Sequence, residues 1–257
     1  MSVPEPGAPD RVALVTGASR GIGRAAALAL AAAGYHVIAL ARTQGALEEL
    51  DDAIQAIRGP GGAEPATLVP MDLKDFPAID RLGEAIYRRW GRLDAFVGNA
   101  GLLGVLSPLH HLDPKEWDSV MAVNVTANWR LIRSLDPLLR QSAAGRAVFL
   151  TSSAGHHAHM RAYWGLYAAS KAALEAMART YAAETMNTSA IRVTIANPGR
   201  LRTLMRAKAM PGEDPMTLRT PEEFAPKIVD FCAPEWTETG RLYDFPTDRL
   251  LTYRDPE

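Results

Sequence analysis

Short apolar runs rich in β-branched residues alternate along the chain with longer segments whose apolar residues recur every three or four positions. The short runs predict strands, and the longer segments predict amphipathic helices. We predict strands at 12–16, 37–40, 67–69, 93–97, 147–151, 191–196 and 241–245. Strands that are apolar on both faces need helices above and below them. The pattern therefore predicts an α/β fold with a doubly wound parallel sheet and helices on both faces.

One segment interrupts this alternation. Residues 200–220 carry several basic side chains and a Pro-Gly-Glu-Asp-Pro sequence, and they follow a predicted strand. Ligands of an open α/β sheet bind beyond the carboxyl ends of its strands, so we predict that this segment is a lid over a binding site. No stretch has the composition of a linker, which predicts a disordered head at 1–10 and a single domain at 11–257.

Composition excludes several classes of protein. The 257 residues include 28 Lys and Arg against 29 Asp and Glu, and the resulting net charge of -1 provides no electrostatic surface for nucleic acid. The single cysteine, Cys232, cannot form an intrachain disulfide. No apolar run is suited to a membrane span, and the first residues do not resemble a secretory signal. We expect a globular, cytoplasmic protein that binds neither membranes nor nucleic acid.

The first predicted strand leads into a glycine-rich turn at residues 17–23, and a helix is predicted from Arg24 onwards. Gly17 permits a tight turn, Gly21 lets the backbone approach a pyrophosphate, and Gly23 allows close packing of the helix. The N-terminus of the helix presents free N–H groups to an anion. This context favours dinucleotide binding over an ordinary glycine-rich turn.

The end of the second predicted strand bears on the choice of cofactor. Enzymes that use NAD place an acidic residue there to bind the ribose 2′-hydroxyl, whereas this chain has Arg42. A guanidinium suits the 2′-phosphate of NADP(H), and Arg20 in the glycine-rich turn could supply a second one. We therefore predict NADP(H) rather than NAD(H), with two solvated surface arginines as the alternative interpretation.

Tyr167 and Lys171 are four residues apart in a predicted helix, a spacing that places them on one face. A phenol with an ordinary pKa of about 10 is a poor proton donor or acceptor at neutral pH. A nearby ammonium favours the phenolate, and lowering the pKa by about three units takes roughly 4 kcal/mol. We expect the ammonium and an oxidised nicotinamide ring to supply that energy, so the pair predicts acid–base chemistry.

Further motifs occur in a fixed order along the chain. They are Thr16 to Gly23, Asp72, Asn99-Ala100-Gly101, Asn124, Thr151-Ser152-Ser153, Tyr167 with Lys171, and Asn197-Pro198-Gly199 followed by Thr203. On these residues the chain resembles the short-chain dehydrogenase/reductase family, over nearly its whole length. Within the family it most resembles a bacterial branch that has Trp164-Gly165-Leu166-Tyr167 and Met205-Arg206-Ala207 ahead of Glu213-Asp214-Pro215. The resemblance implies a Rossmann-type fold, a nicotinamide cofactor, and the interconversion of a carbonyl and a secondary alcohol.

The resemblance also implies a catalytic tetrad of Asn124, Ser152, Tyr167 and Lys171. Tyr167 would be the general acid in carbonyl reduction and the base in the reverse direction, and Ser152 would bind the substrate oxygen. Lys171 would hold the ribose and lower the pKa of Tyr167, and Asn124 would position a water in a proton relay. The spacing to Tyr167 is longer than is usual in the family, which leaves Ser153 as the alternative serine.

The resemblance further implies the cofactor-binding residues and the oligomeric state. The cofactor would be lined by Gly17, Ser19, Arg20, Gly21, Ile22, Gly23, Arg42, Asp72, Asn99, Ala100, Gly101, Tyr167, Lys171, Pro198, Gly199 and Thr203. Members of the family are usually dimers or tetramers that associate through two long helices, here predicted at 114–139 and 163–187. A homodimer or homotetramer is therefore expected.

Two other functions stay open. A nucleotide-binding regulatory or scaffold protein would keep the fold without turnover, although such a protein has no need of the tetrad. An epimerase or dehydratase that acts on nucleotide sugars is the weaker alternative, because the glycine spacing and the short C-terminal region do not match.

Histidines and arginines raise two further questions about the site. Five histidines fall in two loops, His110 with His111 and His156 with His157 and His159, but they lack metal-ligand spacing, and no metal is predicted. Arg202 and Arg206 in the predicted lid, together with Arg161, could recognise an anionic substrate. Solvated arginines are the favoured interpretation.

Overall fold

The protein is described from a computed structural model, which covers residues 11–59, 66–156 and 160–253. The head predicted at 1–10 lies outside these ranges, as do His157 and His159. None of the described helices is long and apolar enough to cross a bilayer.

The strands of the described residues form one eight-stranded sheet, in the order 3-2-1-4-5-6-7-8. They are β1 (Arg11–Thr16), β2 (Tyr35–Ala41), β3 (Thr67–Pro70), β4 (Ala95–Gly98), β5 (Arg146–Leu150), β6 (Arg192–Asn197), β7 (Arg241–Asp244) and β8 (Arg249–Leu251). The first seven strands pair in parallel, which confirms the predicted sheet, and β8 runs antiparallel to β7. β8 was not predicted, because its three residues carry no distinct apolar pattern.

Helices cover both faces of the sheet. They are α1 (Gly21–Ala32), α2 (Gln44–Arg58), α3 (Phe76–Trp90), α4 (Pro114–Met121), α5 (Ala127–Leu139), α6 (Ser153–His156), α7 (Gly165–Met186), α8 (Leu204–Ala209) and α9 (Pro221–Cys232). α1 begins three residues before the predicted start, because Arg20 is extended and the chain enters the helix directly after it.

Two apolar cores lie on opposite faces of the sheet, and β1 contributes to both. Val12 and Leu14 pack in the core that contains residues of α3, α5 and α7. Ala13 and Val15 pack in the core that contains residues of α1, α2 and α9. Burying a side chain the size of valine or leucine contributes roughly 1.5–3 kcal/mol, so both faces of the strand stabilise the fold. This two-sided burial is the physical origin of the apolar runs in the sequence.

The helix predicted at 114–139 is interrupted near its middle. A π-helical turn at Ala122–Thr126 separates α4 from α5, and Asn124 lies within that turn. Such turns occur mostly as local widenings of an α-helix and are frequent at functional sites. The apolar spacing that predicts a continuous helix does not reveal a single turn of this kind.

The segment predicted to be a lid contains two short helical elements. It contains α8 and a 3₁₀ turn at Pro215–Thr217, and a bridge between Leu201 and Arg219 joins its two ends. Thr203 caps α8 by accepting a hydrogen bond of 3.2 Å from the Arg206 N–H. The segment follows β6, and its role as a lid stays a prediction.

Candidate active site

The candidate site lies beyond the carboxyl ends of the parallel strands. Thr16, Gly98, Leu150 and Asn197 end β1, β4, β5 and β6, and parallel pairing brings these ends to one edge of the sheet. Each strand is followed by one of the predicted motifs, so the topology gathers segments that are far apart in the sequence.

The glycine-rich turn between β1 and α1 is closely packed and suits an anion. Gly17 has a φ of +67°, and a Cβ at Gly23 would lie 2.2 Å from the Gly17 carbonyl oxygen. No side chain caps the N-terminus of α1, and its first turn contains no acidic residue. The N–H groups and the positive end of the helix dipole therefore face the edge of the sheet without a competing carboxylate. These features fit the pyrophosphate of a dinucleotide.

Asn99 and Ala100 support the glycine-rich turn from the neighbouring strand. Both N–H groups donate to the Thr16 hydroxyl at 3.1 Å, and Asn99 Nδ2 donates to the Thr16 carbonyl at 2.8 Å. Thr16 is buried, and its hydroxyl donates in turn to Val97. Thr16 belongs to the first predicted motif, and its position at the end of a strand is the sequence signal for this supporting role.

Several residues predicted to bind the cofactor are exposed or half-buried. Arg42 directly follows β2, Arg20 precedes α1, and both are exposed, while Ser19 and Ile22 are half-buried. Asp72 is also exposed, and its carboxylate accepts a hydrogen bond of 2.9 Å from the Lys74 N–H.

Residues after β6 approach the same turn. The Gly199 N–H donates to Asn197 Oδ1 at 3.1 Å, and Gly199 has a φ of +70°, which favours glycine. Thr203 then reaches the glycine-rich turn, because its Cγ2 would lie 3.5 Å from a Cβ built on Gly21. Pro198 lies between Asn197 and Gly199 in this connection. The structure thus brings the segments around Gly21 and Thr203 together.

Tyr167 and Lys171 lie on one face of α7 and are both buried, with 8% and 3% of their surfaces exposed. Lys171 Nζ donates to the Leu150 carbonyl at 2.7 Å and lies 5.8 Å from the centroid of the Tyr167 ring. Burial raises the pKa of Tyr167 to about 12, and a hydrogen bond with Ser152 opposes this rise. Burial also lowers the pKa of Lys171 to about 8, against the opposing effect of the Glu175 charge.

The predicted lowering of the Tyr167 pKa, which includes the charge of an oxidised nicotinamide ring, stays a prediction, because the chain alone raises this pKa through burial. Both groups share one buried environment, and burial disfavours the phenolate as well as the ammonium. Lys171 also directs its ammonium at the Leu150 carbonyl. The consequence is a phenol that keeps its proton at neutral pH, as a proton donor must.

Asn124 is fully buried, and the chain itself holds its side-chain amide. Its Oδ1 accepts from the Leu102 N–H at 2.7 Å, and its Nδ2 donates to the Leu102 carbonyl and to Ser170 Oγ, both at 2.9 Å. A Cβ built on Gly101 would lie 3.4 Å from Asn124 Oδ1 and 3.5 Å from Lys171 Nζ. Glycine at position 101 therefore keeps a small space free between the amide and the ammonium.

A small cavity of about 100 Å³ lies beside the serines at the end of β5. Ser152, Ser153, Trp164, Ala168, Gly199 and Arg206 are among the residues that line it. The Trp164 ring lies edge-on to the Tyr167 ring, with 6.1 Å between the centroids. The cavity therefore lies next to Ser152 and to the helix that carries Tyr167.

Three arginines were considered for substrate recognition. Arg161 lies over the Trp164 ring at 5.9 Å and lines the same cavity, whereas Arg202 and Arg206 have hydrogen-bond partners within the chain. Arg206 forms a two-pronged ion pair with Glu213, with 2.6 Å between Arg206 Nη2 and Glu213 Oε1. Arg202 donates to the carbonyls of Pro215 and Leu218 at 2.9 and 3.4 Å. The structure therefore favours a structural role for both side chains over the recognition of an anion.

The described histidines belong to separate environments. His110 and His111 contact each other beyond β4, with ring centroids 4.1 Å apart, whereas His156 Nδ1 lies 2.8 Å from Glu175 Oε1. Within residues 11–59, 66–156 and 160–253, no group of three potential metal ligands is found.

Glu175 is the residue of the site region that the sequence analysis missed. It lies on α7 one turn after Lys171, is buried, and accepts hydrogen bonds from Thr151 and Tyr253. The signal was available, because an acidic residue four positions after Lys171 shares its helix face.

Comparison with known proteins supports the class that this fold and site define. The family model described as short chain dehydrogenase matches residues 11–214. The chain belongs to the short-chain dehydrogenase/reductase family, and it is an NAD(P)-dependent oxidoreductase of that family.

Individual relatives cover most of the chain. The oxidoreductase YciK of Escherichia coli K12 is 42% identical over 238 residues, which is 91% of each chain. A Mycobacterium tuberculosis CDC 1551 protein named as an NAD-dependent oxidoreductase, MT0715, is 36% identical over 206 residues, or 76% of this chain and 73% of the relative. A crystal structure of a short chain dehydrogenase from Shigella flexneri 2a strain 301, complexed with NADP, has a TM-score of 0.85 at 38% identity and covers 93% of this chain and 98% of the relative.

Proposed function

We propose that the protein is an NADP(H)-dependent oxidoreductase that interconverts a carbonyl and a secondary alcohol, with Tyr167 as the general acid and base. The observation that carries this proposal is the burial of Tyr167 and Lys171 on one face of α7, with Ser152 hydrogen-bonded to the phenol. A neutral phenol beside a serine hydroxyl can donate to a carbonyl oxygen while a second donor holds that oxygen.

The residues at the edge of the sheet fit a dinucleotide cofactor. The uncapped N-terminus of α1 and the turn at Gly17 would hold the pyrophosphate, and Arg20 and Arg42 would hold the 2′-phosphate of NADP(H). The remaining predicted contacts come from Ser19, Gly21, Ile22, Gly23, Asp72, Asn99, Ala100, Gly101, Tyr167, Lys171, Pro198, Gly199 and Thr203. NADP in the Shigella flexneri structure supports this choice, whereas the name of the Mycobacterium tuberculosis relative supports NAD. When bound, the nicotinamide supplies or accepts the hydride.

The chain's own residues would transfer the proton. In the direction of reduction, Tyr167 donates its phenolic proton to the carbonyl oxygen, and Ser152 holds that oxygen by a hydrogen bond. The Lys171 ammonium favours the phenolate that remains. Asn124 and Lys171 border the small space kept free by Gly101, which suits a water that returns a proton. The reverse steps apply in the direction of oxidation.

Contacts at the end of β5 favour Ser152 over Ser153 as the serine of the tetrad. Ser152 is the side chain that hydrogen-bonds to Tyr167, whereas Ser153 begins α6 and its N–H donates to Asn197 Oδ1 at 3.2 Å. We expect Ser152→Ala to lose most of its turnover and Ser153→Ala to retain it. The opposite result would exchange their roles.

The regulatory or scaffold alternative is not favoured. It would retain cofactor binding without turnover, and measurements of turnover on the wild type separate it from the proposal. The experiment is NADPH oxidation with a panel of carbonyls, namely benzaldehyde, decanal, cyclohexanone and diacetyl. Tyr167→Phe removes only the phenolic oxygen and should reduce kcat by about a thousandfold, within the range of general-acid effects.

Tyr87→Phe is the matched control for this experiment, because Tyr87 is 61% exposed on α3. It should keep wild-type turnover. Equal kcat values for Tyr167→Phe and the wild type would refute the proposed acid. Binding of NADPH without turnover on any carbonyl of the panel would favour the scaffold alternative.

The choice of cofactor has its own test. Thermal unfolding of the wild type is measured with NADPH, NADP, NADH and NAD, since a ligand of the native state raises Tm according to its affinity. Arg42→Asp should transfer the larger shift from NADP(H) to NAD(H). Arg81→Asp, which makes the same charge change at an exposed position on α3, should leave the preference unchanged. An unaltered preference in Arg42→Asp would refute the role of Arg42.

The proposed enzyme is a homodimer or homotetramer that associates through α5 and α7. Trp129 on α5 is 48% exposed, and Ala169 and Ala176 on α7 are exposed small residues that permit close approach of a second copy. Sedimentation velocity should show a dimer or tetramer for the wild type and dissociation for Trp129→Glu. A monomeric wild type would refute this expectation.

A further inference from the structure

A buried carboxyl group lies behind the candidate active site. Glu175 has 4% of its surface exposed and follows Lys171 by one turn of α7. Burying a charged group is unfavourable unless other groups of the protein hydrogen-bond to it. The groups that do so show what this residue holds in place.

The partners of Glu175 come from both sides of the Ser152 segment. Its carboxyl group accepts a hydrogen bond from Thr151 Oγ1, and its Oε1 lies 2.8 Å from His156 Nδ1. Thr151 directly precedes Ser152, and His156 is the last residue of α6. One carboxyl group therefore fastens both ends of the short segment that carries the candidate serine.

Close packing of α6 against α7 brings His156 to Glu175. A Cβ at Gly155 would lie 2.9 Å from the Ala172 nitrogen and 3.0 Å from the Lys171 carbonyl carbon. The absence of a side chain at Gly155 lets α6 approach α7 closely enough for His156 to reach Glu175. A third contact comes from Tyr253, whose hydroxyl donates to Glu175 Oε2 at 3.0 Å.

We propose that Glu175 is a positioning residue for the reaction, because its carboxyl group holds the Ser152–His156 segment against α7 beside Tyr167 and Lys171. The inference rests on the proposed function of Ser152, Tyr167 and Lys171, and extends it to a residue that touches neither substrate nor cofactor. Glu175 acts through Thr151 and His156 on the position of the Ser152 hydroxyl.

The charge of Glu175 acts on Lys171 as well. It opposes the effect of burial and raises the pKa of Lys171. The titratable groups around this carboxyl group are His156 from α6, Tyr253 from the segment after β8, and Lys171 on its own helix. Arg179, one turn further along α7, lies over the Tyr253 ring at 3.9 Å. Removing the Glu175 charge is thus expected to make Lys171 easier to deprotonate.

Glu175→Gln tests the inference, with Glu184→Gln as the control that makes the same change at an exposed position of α7. Hydrogen exchange measured by mass spectrometry reports on peptides that span 150–156, and it needs no turnover. We expect Glu175→Gln to raise exchange in this segment about threefold or more. The control should match the wild type.

Turnover and its pH dependence supply the second measurement. With NADPH and the most active carbonyl of the panel, we expect Glu175→Gln to lower kcat about tenfold and to leave the KM for NADPH nearly unchanged. The alkaline decline of kcat should move to lower pH by about one unit, since Lys171 has lost a favourable charge. Exchange equal to that of the control, or an unmoved alkaline decline, would overturn the inference.

Thr151→Val keeps the inference testable if Glu175→Gln does not fold. This variant removes one donor and leaves the carboxyl group in place. Its control is Thr180→Val, at an exposed position of α7. Faster exchange in the 152–156 segment of Thr151→Val alone supports the inference, and equal exchange in both variants overturns it. A wild type without turnover on any carbonyl would refute the proposed function, while hydrogen exchange would still report on the positioning contacts.

Discussion

A methyl group added at Gly23 tests how closely the glycine-rich turn is packed. In Gly23→Ala the new Cβ would lie 2.2 Å from the Gly17 carbonyl oxygen and 2.4 Å from Asn99 Nδ2. These distances are about 1 Å shorter than van der Waals contact. The oxygen belongs to the backbone, and the amide is held by its hydrogen bond of 2.8 Å to the Thr16 carbonyl, so neither atom can simply rotate away.

The magnitude follows from this overpacking. Forcing extra volume into a well-packed region typically costs about 1–3 kcal/mol. For a protein of this size, 1 kcal/mol lowers Tm by roughly 2–4 °C, so a decrease of roughly 2–12 °C is expected. Displacement of the turn should also weaken NADPH binding by about tenfold or more, which corresponds to about 1.4 kcal/mol.

The assay is thermal unfolding with and without NADPH, compared with Gly45→Ala. Gly45 lies in α2, and nothing lies within 4 Å of a Cβ built there. The same substitution at this position should raise stability by about 0.5–1 kcal/mol, because alanine favours a helix over glycine. Equal Tm values and equal NADPH affinities for the two variants would refute the packing argument.

Three further predictions concern the proton-transfer groups and the residue that supports the glycine-rich turn. The kcat for carbonyl reduction should be constant below about pH 8 and fall above it. The reason is that Lys171, with a pKa of about 8, loses its proton there, whereas Tyr167, with a pKa of about 12, keeps its own. A rate that stays constant up to about pH 10 would contradict this assignment. Thr16→Val removes the hydroxyl that hydrogen-bonds to Val97, Asn99 and Ala100. The free energy of unfolding, measured by urea denaturation, should fall by roughly 1–3 kcal/mol. Thr43→Val, at an exposed position, should change it little. Gly101→Ala places a Cβ at ordinary contact distance from Asn124 and Lys171. Tm should therefore stay near the wild-type value, while kcat should fall about tenfold. An unchanged kcat would show that the reaction does not use the space between Asn124 and Lys171.

The fold class and the positions of many candidate site residues follow from local spacing in the sequence. Apolar runs predict the strands because both faces of the sheet are buried, and parallel strands bring the residues that follow them to one edge. The interval of four residues places Tyr167 and Lys171 on one face of α7 in any helix. Gly17 and Gly23 are predictable for the same reason, since the turn between a strand and a helix is built from consecutive residues.

The contacts between these elements depend on tertiary packing. The contact of Ser152 with Tyr167, the partners of Glu175, and the ion pair of Arg206 with Glu213 all depend on how separate segments pack. The direction of the pKa shift of Tyr167 depends on burial in the same way, because spacing places the ammonium near the phenol but does not measure the loss of water around both. Periodicity in the sequence shows which face of a helix or strand is buried. The hydrogen-bond partner of each polar side chain depends on the distances between elements, and these distances are set only when the elements pack together.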